Sequence, residues 1–188
     1  MTACAAYVER EEDRLTELDS PIGDADHGGN LRRGFAAVTE ALAAEQPATP
    51  GEVLTGAGRR LVSKVGGASG PLYGTLLRRT GKALGDTPQV SREELAEALA
   101  TAVDAVAQLG GARQGDATML DALYPAVEGL RTSYAAAAEA AEGGAAATEP
   151  LQARKGRASY LGERSIGHRD PGAASSALLF AALAEVAG

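Results

Sequence analysis

Apolar residues recur at helical spacing through nearly every stretch between the glycine-rich segments, and almost nothing alternates with the period of a strand. Leu31, Phe35, Val38 and Leu42 form one stripe, and Val53, Leu54, Ala57 and Leu61 form another. Leu72, Tyr73, Leu76 and Leu77 begin a third, ending near Gly81 or Gly85. Leu95, Leu99, Ala102, Val106 and Leu109 follow a start signal at Ser91 and Glu94, the spacing of a capping box. Met119, Leu123, Val127 and Leu130 make the next face, and Leu179, Leu183 and Val186 close the chain. Ile22 and Ile166 are the only isoleucines, which further weakens any strand assignment. The pattern predicts an all-α domain over residues 1–188, with seven or eight helices joined by short loops that favour antiparallel neighbours. Residues 134–150, "YAAAAEAAEGGAAATEP", have high helix propensity but few large apolar groups; they predict a mobile helix interrupted at Gly143 and Gly144.

Charge and composition narrow the partners. The formal net charge of −7 argues against nucleic acid, which calls for a basic face. No run is apolar enough for a bilayer, and the N-terminus carries acids where a signal peptide needs a basic start, so a cytoplasmic protein is expected. Cys4 is the single cysteine, which leaves no disulfide framework, and it reads as an inert thiol near a helix face. Against the acidic background, Arg154, Lys155 and Arg157 stand together in "QARKGR", residues 152–157. They read either as a solvated loop or as an anion site.

The stretch "LDSPIGDADHGGN", residues 18–30, places Asp19, Asp24 and Asp26 within eight positions. A helix cap explains one aspartate but not three, whereas a hard divalent cation needs such crowded carboxylate oxygens. Gly23, Gly28 and Gly29 let the backbone turn and approach a ligand. The regular spacing and distal glutamate of a calcium hand are missing. His27 opens a helix whose first amides are free to face an anion. "VGGASGPLYG", residues 65–74, repeats the device with Ser69 and with Pro71 in the first turn. In "GDATMLD", Asp116 is expected to cap a helix, and Met119 reads as core rather than as the wall of a base-binding slot. In "GHRDPGAASS", Asp170 caps a last helix, Pro171 takes its first position and Gly172 permits close approach. Three carboxylates and a nucleotide diphosphate repel each other unless metal ions bridge them. Two Mg²⁺ would do so, with Arg157 stabilising a phosphoryl group in transfer.

These segments, with "RRGF" and "QARKGRASYLGERSIGHRDPGA", resemble the L subunit (DhaL) of bacterial phosphoenolpyruvate-dependent dihydroxyacetone kinases along almost the whole chain. The resemblance implies an antiparallel eight-helix barrel holding ADP or ATP at one end through two Mg²⁺. It puts the metal ligands on Asp19, Asp24 and Asp26. It puts nucleotide contacts on His27, Gly28, Gly29 and Asn30, on Ala68 and Ser69, on Gly110 and Met119, and on Arg157, Asp170, Pro171 and Gly172. Met119 thereby becomes an adenine neighbour, and Arg157 carries the catalytic role. The implied partners are a DhaM-like phosphohistidine donor and a DhaK-like subunit carrying dihydroxyacetone. A nucleotide-state sensor, or a kinase subunit for a related small ketose, is the rival reading, and a helical scaffold without ligand the plainest one. Three departures stand out: Ala117 in place of a basic residue, a short 134–150 segment that puts the seventh helix in doubt, and a clipped N-terminal helix.

Overall fold

The structure, a computed structural model, describes residues 1–188. Helices α1 (Thr2–Arg10), α2 (Glu12–Asp19), α3 (His27–Glu45), α4 (Pro50–Lys64) and α5 (Ser69–Leu84) make the first half. Helices α6 (Arg92–Gly110), α7 (Leu120–Leu130), α8 (Tyr134–Ala146) and α9 (Pro171–Ala187) make the second, with a 3₁₀ segment at Arg157–Ser165; there is no strand. Between α1 and α2 only Glu11 leaves helical geometry, at φ −101° and ψ 12°, so the pair forms one bent rod. Counted that way, eight rods form a closed ring. From α3 onward each packs on the next, and α9 returns to α1 and α2. No helix is long and apolar enough to cross a membrane.

The predicted stripes point into the ring. Leu31, Phe35, Val38, Leu61, Leu76, Val106, Leu123, Val127 and Leu130 are all buried in one continuous core. The last helix departs from expectation. Its buried face is Ala173, Ala177 and Phe180, while Leu179 and Leu183 are only partly buried and Val186 is 65 % exposed. Because α9 is apolar nearly all round and touches α7, α8 and α1, spacing alone does not single out a face. Cys4 sits half-buried on α1, and burial pushes its thiol pKa up, as befits an unreactive group.

The expectation for residues 134–150 is corrected. Helix α8 runs unbroken through Gly143 and Gly144, with Ala137, Ala141 and Ala145 fully buried. Small residues are what this contact requires. A Cβ at Gly144 would lie 2.1 Å from the Asp121 carbonyl oxygen, and one at Gly129 would lie 2.6 Å from that of Ala136. The helix is held by close backbone approach rather than by large side chains.

Short turns alternate between the two ends of the ring. One end carries the α3–α4, α5–α6 and α7–α8 turns, and the three helices that follow these turns have side-chain caps. Thr49 and Glu52 form a reciprocal capping box on α4, Ser91 and Glu94 form another on α6, and Ser133 accepts from the Ala136 amide on α8. Each such cap stabilises by about 1 kcal/mol. The other end carries the α2–α3, α4–α5, α6–α7 and α8–α9 connections, which contain the glycine-rich and acidic motifs.

A candidate nucleotide and metal site

Asp19 ends α2, and the chain turns at once: the Ile22 and Gly23 amides both donate to its carbonyl oxygen. A side chain at Gly23 would collide with Asp19, since a Cβ would lie 2.0 Å from Oδ1. The turn brings Asp24 and Asp26 back over Asp19, whose Oδ2 accepts from the Asp26 amide at 3.0 Å. Ala25, between the two, is forced to φ 59°, where L residues are strained by roughly 1–2 kcal/mol. The result is three carboxylates, each offering an oxygen within 4.8 Å of the others. Asp19 is buried at the base; Asp24 and Asp26 face outward. Arg157 reaches across from the 3₁₀ segment, and its Nη2 lies 2.7 Å from Asp24 Oδ2.

This acidic loop forms one lip of a cavity of about 830 Å³, within the range for a bound cofactor. Of the residues singled out in the sequence, His27, Ala68, Ser69, Gly110, Met119, Arg157, Asp170, Pro171 and Gly172 line it together with the three aspartates. Gly28, Gly29 and Asn30 do not. Gly28 packs α3 onto α2, where a Cβ would lie 2.1 Å from the Glu12 carbonyl oxygen. Gly29 lies beside Glu12 and Arg33 instead, and the Asn30 side chain is buried, accepting from Arg33 beside Gly66. The chain of the basic cluster is also resolved in favour of the cavity. Arg154 and Lys155 line it, and the Arg154 amide donates to the Asp116 carbonyl oxygen at 3.0 Å, tying this loop to the α6–α7 connection.

Two walls differ in character. Leu72, Val106, Leu109 and Met119 make an apolar wall at one side, so Met119 serves both core and cavity. The helix starts of α3 and α5 also contribute to the cavity, through His27 and Ser69, and neither is capped by a side chain. Their first-turn amides have no partner within the helix and carry the positive end of the helix dipole. Asp116 does not cap α7, as the sequence suggested; it accepts from the Arg113 amide. Asp121 shapes the turn instead, accepting from the Gly115 and Thr118 amides, the latter at 2.8 Å. Ala117, at φ 55°, is buried in this turn.

Burial sets the ionisation of the enclosed groups. It lowers the His27 pKa, against the opposing pull of Asp19 and Asp26. The ring nitrogens are occupied: Nε2 lies 2.9 Å from Ser175 Oγ and Nδ1 lies 3.3 Å from Ser69 Oγ. Enclosure pushes the Asp170 carboxyl up to about 7, helped by the nearby charges of Asp121 and Asp19 and resisted by the Ala173 amide, which donates to it at 2.6 Å. Tyr73, pushed up to about 12 by burial, lies deepest; Ser175 and Ser176 are its partners on α9. Sequence reading missed Tyr73, Ser175 and Ser176 as a group, because two helices about a hundred residues apart in the chain must converge before they meet.

The arrangement can hold an anionic ligand against acidic groups only with cations between them. The chain is similar to known proteins in sequence and in fold. The DAK2 domain model matches residues 21–185. The ADP-binding subunit DhaL of the PEP-dependent dihydroxyacetone kinase of Escherichia coli (strain K12) is 45 % identical over 194 aligned positions, covering 98 % of this chain and 92 % of that protein. A DhaL subunit of Listeria innocua, from its PEP-dependent dihydroxyacetone kinase 1, is 43 % identical over 94 % of this chain and 88 % of its own. D-erythrulose kinase of Mycolicibacterium smegmatis is 40 % identical over 94 % of this chain, which corresponds to 32 % of that longer protein. The crystal structure of the dihydroxyacetone kinase from C. freundii in complex with AMP-PNP and Mg²⁺ superposes with a TM-score of 0.79 at 30 % identity, over 98 % of this chain and 32 % of that one. The helical ring, the three-aspartate loop and these matches together establish that the chain belongs to the DAK2 domain family, alongside the DhaL subunits.

Proposed function

We propose that this chain is the nucleotide-holding subunit of a phosphoenolpyruvate-dependent dihydroxyacetone kinase. In this reading it keeps ADP or ATP bound through two Mg²⁺ and relays a phosphoryl group from a DhaM-like subunit to dihydroxyacetone on a DhaK-like subunit, in the cytoplasm. The observation that carries it is the convergence of the Asp19, Asp24 and Asp26 carboxylates at the lip of a cavity that the uncapped start of α5 and His27 of α3 also line. The names of the DhaL relatives support the nucleotide and the kinase class, and the C. freundii complex supports Mg²⁺ as the metal.

The donor set fits the metal. All-oxygen carboxylate ligands suit Mg²⁺, and a single loop supplies only three of them, which leaves positions for water and phosphate oxygens. When bound, ADP would supply the terminal phosphate that accepts and releases the phosphoryl group, and Mg²⁺ the positive charge that reconciles it with the carboxylates. The chain's own residues do the rest. The amides at the start of α5, with His27 at the start of α3, would receive phosphate oxygens. The wall of Leu72, Val106, Leu109 and Met119 accepts the base. Arg157, more than half exposed and paired only with Asp24, is free to exchange that partner for the phosphoryl group in transfer. The ketose is held by the partner, which is why the cavity needs no sugar-binding groups of its own. The 40 % identity to a D-erythrulose kinase gives specific support to a related ketose as the alternative acceptor.

Reconstitution tests the reading. Combined with K and M subunits and the phosphoenolpyruvate-driven donor system, the chain should support formation of dihydroxyacetone phosphate, and omitting it should stop the reaction. Tight nucleotide retention without phosphorylation of dihydroxyacetone or erythrulose with any partner pair would instead favour a nucleotide-state sensor.

A further inference from the structure

At the cavity wall, six residues from three helices touch in series: Ser69 at the start of α5, His27 at the start of α3, Ser175, Tyr73 one turn into α5, Ser176 and Gly172. All but Ser69 and Gly172 are nearly inaccessible to solvent: His27 is 7 % exposed, Tyr73 2 %, Ser175 1 % and Ser176 0 %. The Gly172 carbonyl oxygen anchors the series, since it only accepts and the hydroxyls of Tyr73, Ser175 and Ser176 all reach it, at 3.1, 3.1 and 2.8 Å. The Tyr73 oxygen lies 2.6 Å from Ser175 Oγ and 2.9 Å from Ser176 Oγ. From Ser175 Oγ the series continues to His27 Nε2 at 2.9 Å, and from His27 Nδ1 to Ser69 Oγ at 3.3 Å.

We propose that Tyr73 and Ser175 are positioning residues, whose hydrogen bonds fix the first turns of α5 and α9 relative to α3 and so set the width of the anion-receiving end of the cavity. The inference rests on the nucleotide-holding reading, since it concerns where the phosphates sit. Tyr73 lines the cavity and reaches the Gly172 carbonyl oxygen on α9, and Ser175 touches His27, which lines the cavity from α3. The two hydroxyls thus tie together three helix starts that share no backbone hydrogen bond.

The test uses the full chain, Tyr73→Phe, Ser175→Ala and their combination, with Thr80→Val as a control that deletes another buried hydroxyl of α5 outside the series. The ADP dissociation rate in Mg²⁺ is read by fluorescent-nucleotide chase, and the His27 ring nitrogens by ¹⁵N NMR of the nucleotide-free chain. Each single variant should release ADP roughly tenfold faster, the loss expected for one buried hydrogen bond in a network. The double variant should be little worse than either, because both break one series. Ser175→Ala should shift the His27 ring ¹⁵N signals, because Nε2 loses its hydroxyl partner, and Thr80→Val should leave them in place. Thr80→Val should stay within about twofold of wild type, a change too small to signal a lost buried hydrogen bond. Unchanged dissociation in both single variants, or an equal effect in Thr80→Val, overturns the positioning role while leaving the nucleotide reading intact. A wild-type chain that binds no ADP contradicts the nucleotide reading itself, and the positioning role falls with it.

Discussion

The two ends of the helical ring solve the same problem in opposite ways. Every helix leaves its first amides without partners. At one end, Thr49, Ser91 and Ser133 satisfy them from within the chain. At the other, only α9 is capped, by Asp170, while α3, α5 and α7 begin without a side-chain cap, the loop between α2 and α3 gathers three carboxylates, and Ala25 and Ala117 sit at positive φ. The capped end is built for stability. The open end stores unsatisfied amides, mutual repulsion and backbone strain, and such costs persist in a fold when a ligand relieves them.

Removing a ligand-binding charge should expose that contrast most strongly. Asp24→Ala should lose retained ADP, a drop of about a hundredfold or more for a charged partner taken from a metal site, with helix content unchanged. Nucleotide measured by chromatography after desalting checks it, and undiminished retention would break the comparison. Next, a negative charge at the uncapped start of α5, Ala68→Asp, should weaken ADP binding about tenfold by repelling phosphate, since one tenfold step corresponds to about 1.4 kcal/mol. The matched change at the capped end, Thr49→Ala, should cost about 1 kcal/mol in urea unfolding and leave ADP affinity alone. If Thr49→Ala disturbed binding as much as Ala68→Asp, the two ends would not be specialised.

A pH series sharpens the contrast further. Asp170 has a folded pKa raised to about 7 from an ordinary value near 3.8. Below the ordinary value both states hold the proton and nothing is lost. As pH rises through the interval from about 4 to about 7, the unfolded chain releases its proton first, so this group destabilises the nucleotide-free fold increasingly, up to a plateau above 7. Melting temperature should therefore fall over that interval, and Asp170→Asn, which keeps an oxygen for the Ala173 amide, should flatten the fall. The smallest effect belongs to Ala25→Gly. Relief of positive-φ strain, roughly 1–2 kcal/mol, is partly offset by the greater unfolded-state freedom of glycine, leaving a rise of a few degrees in the thermal midpoint.

Local signals were readable before any coordinates, and signals that need three dimensions were not. Helical stripes such as Leu31, Phe35 and Val38 are set by a repeat within one helix, and they point inward as spacing predicts. The Ser91–Glu94 and Asp170–Ala173 caps are contacts over three residues and equally legible. The Thr49–Glu52 box has the same spacing and was overlooked, although "TPGE" carries its signature. Helix α8 was read as broken because propensity counts glycine as a cost; its close contact with Asp121 on α7, where no Cβ fits, reverses that sign. Asp116 was expected to cap α7, but the helix starts only at Leu120, and the fold of the 111–119 turn gives Asp116 the Arg113 amide and Asp121 the Thr118 amide instead. The convergence of Asp19, Asp24 and Asp26 was legible from their proximity in the chain. The placement of Gly28, Gly29 and Asn30 away from the cavity was not, since it depends on where α2 lies.

Calorimetric titration of the chain with ADP, in Mg²⁺ and again in EDTA, bears most directly on whether cations join the acidic loop to a diphosphate. Affinity at least a hundredfold higher with Mg²⁺ is predicted, because without cations the three carboxylates and the phosphates repel. Equal affinity in EDTA, or no binding in either condition, would contradict it.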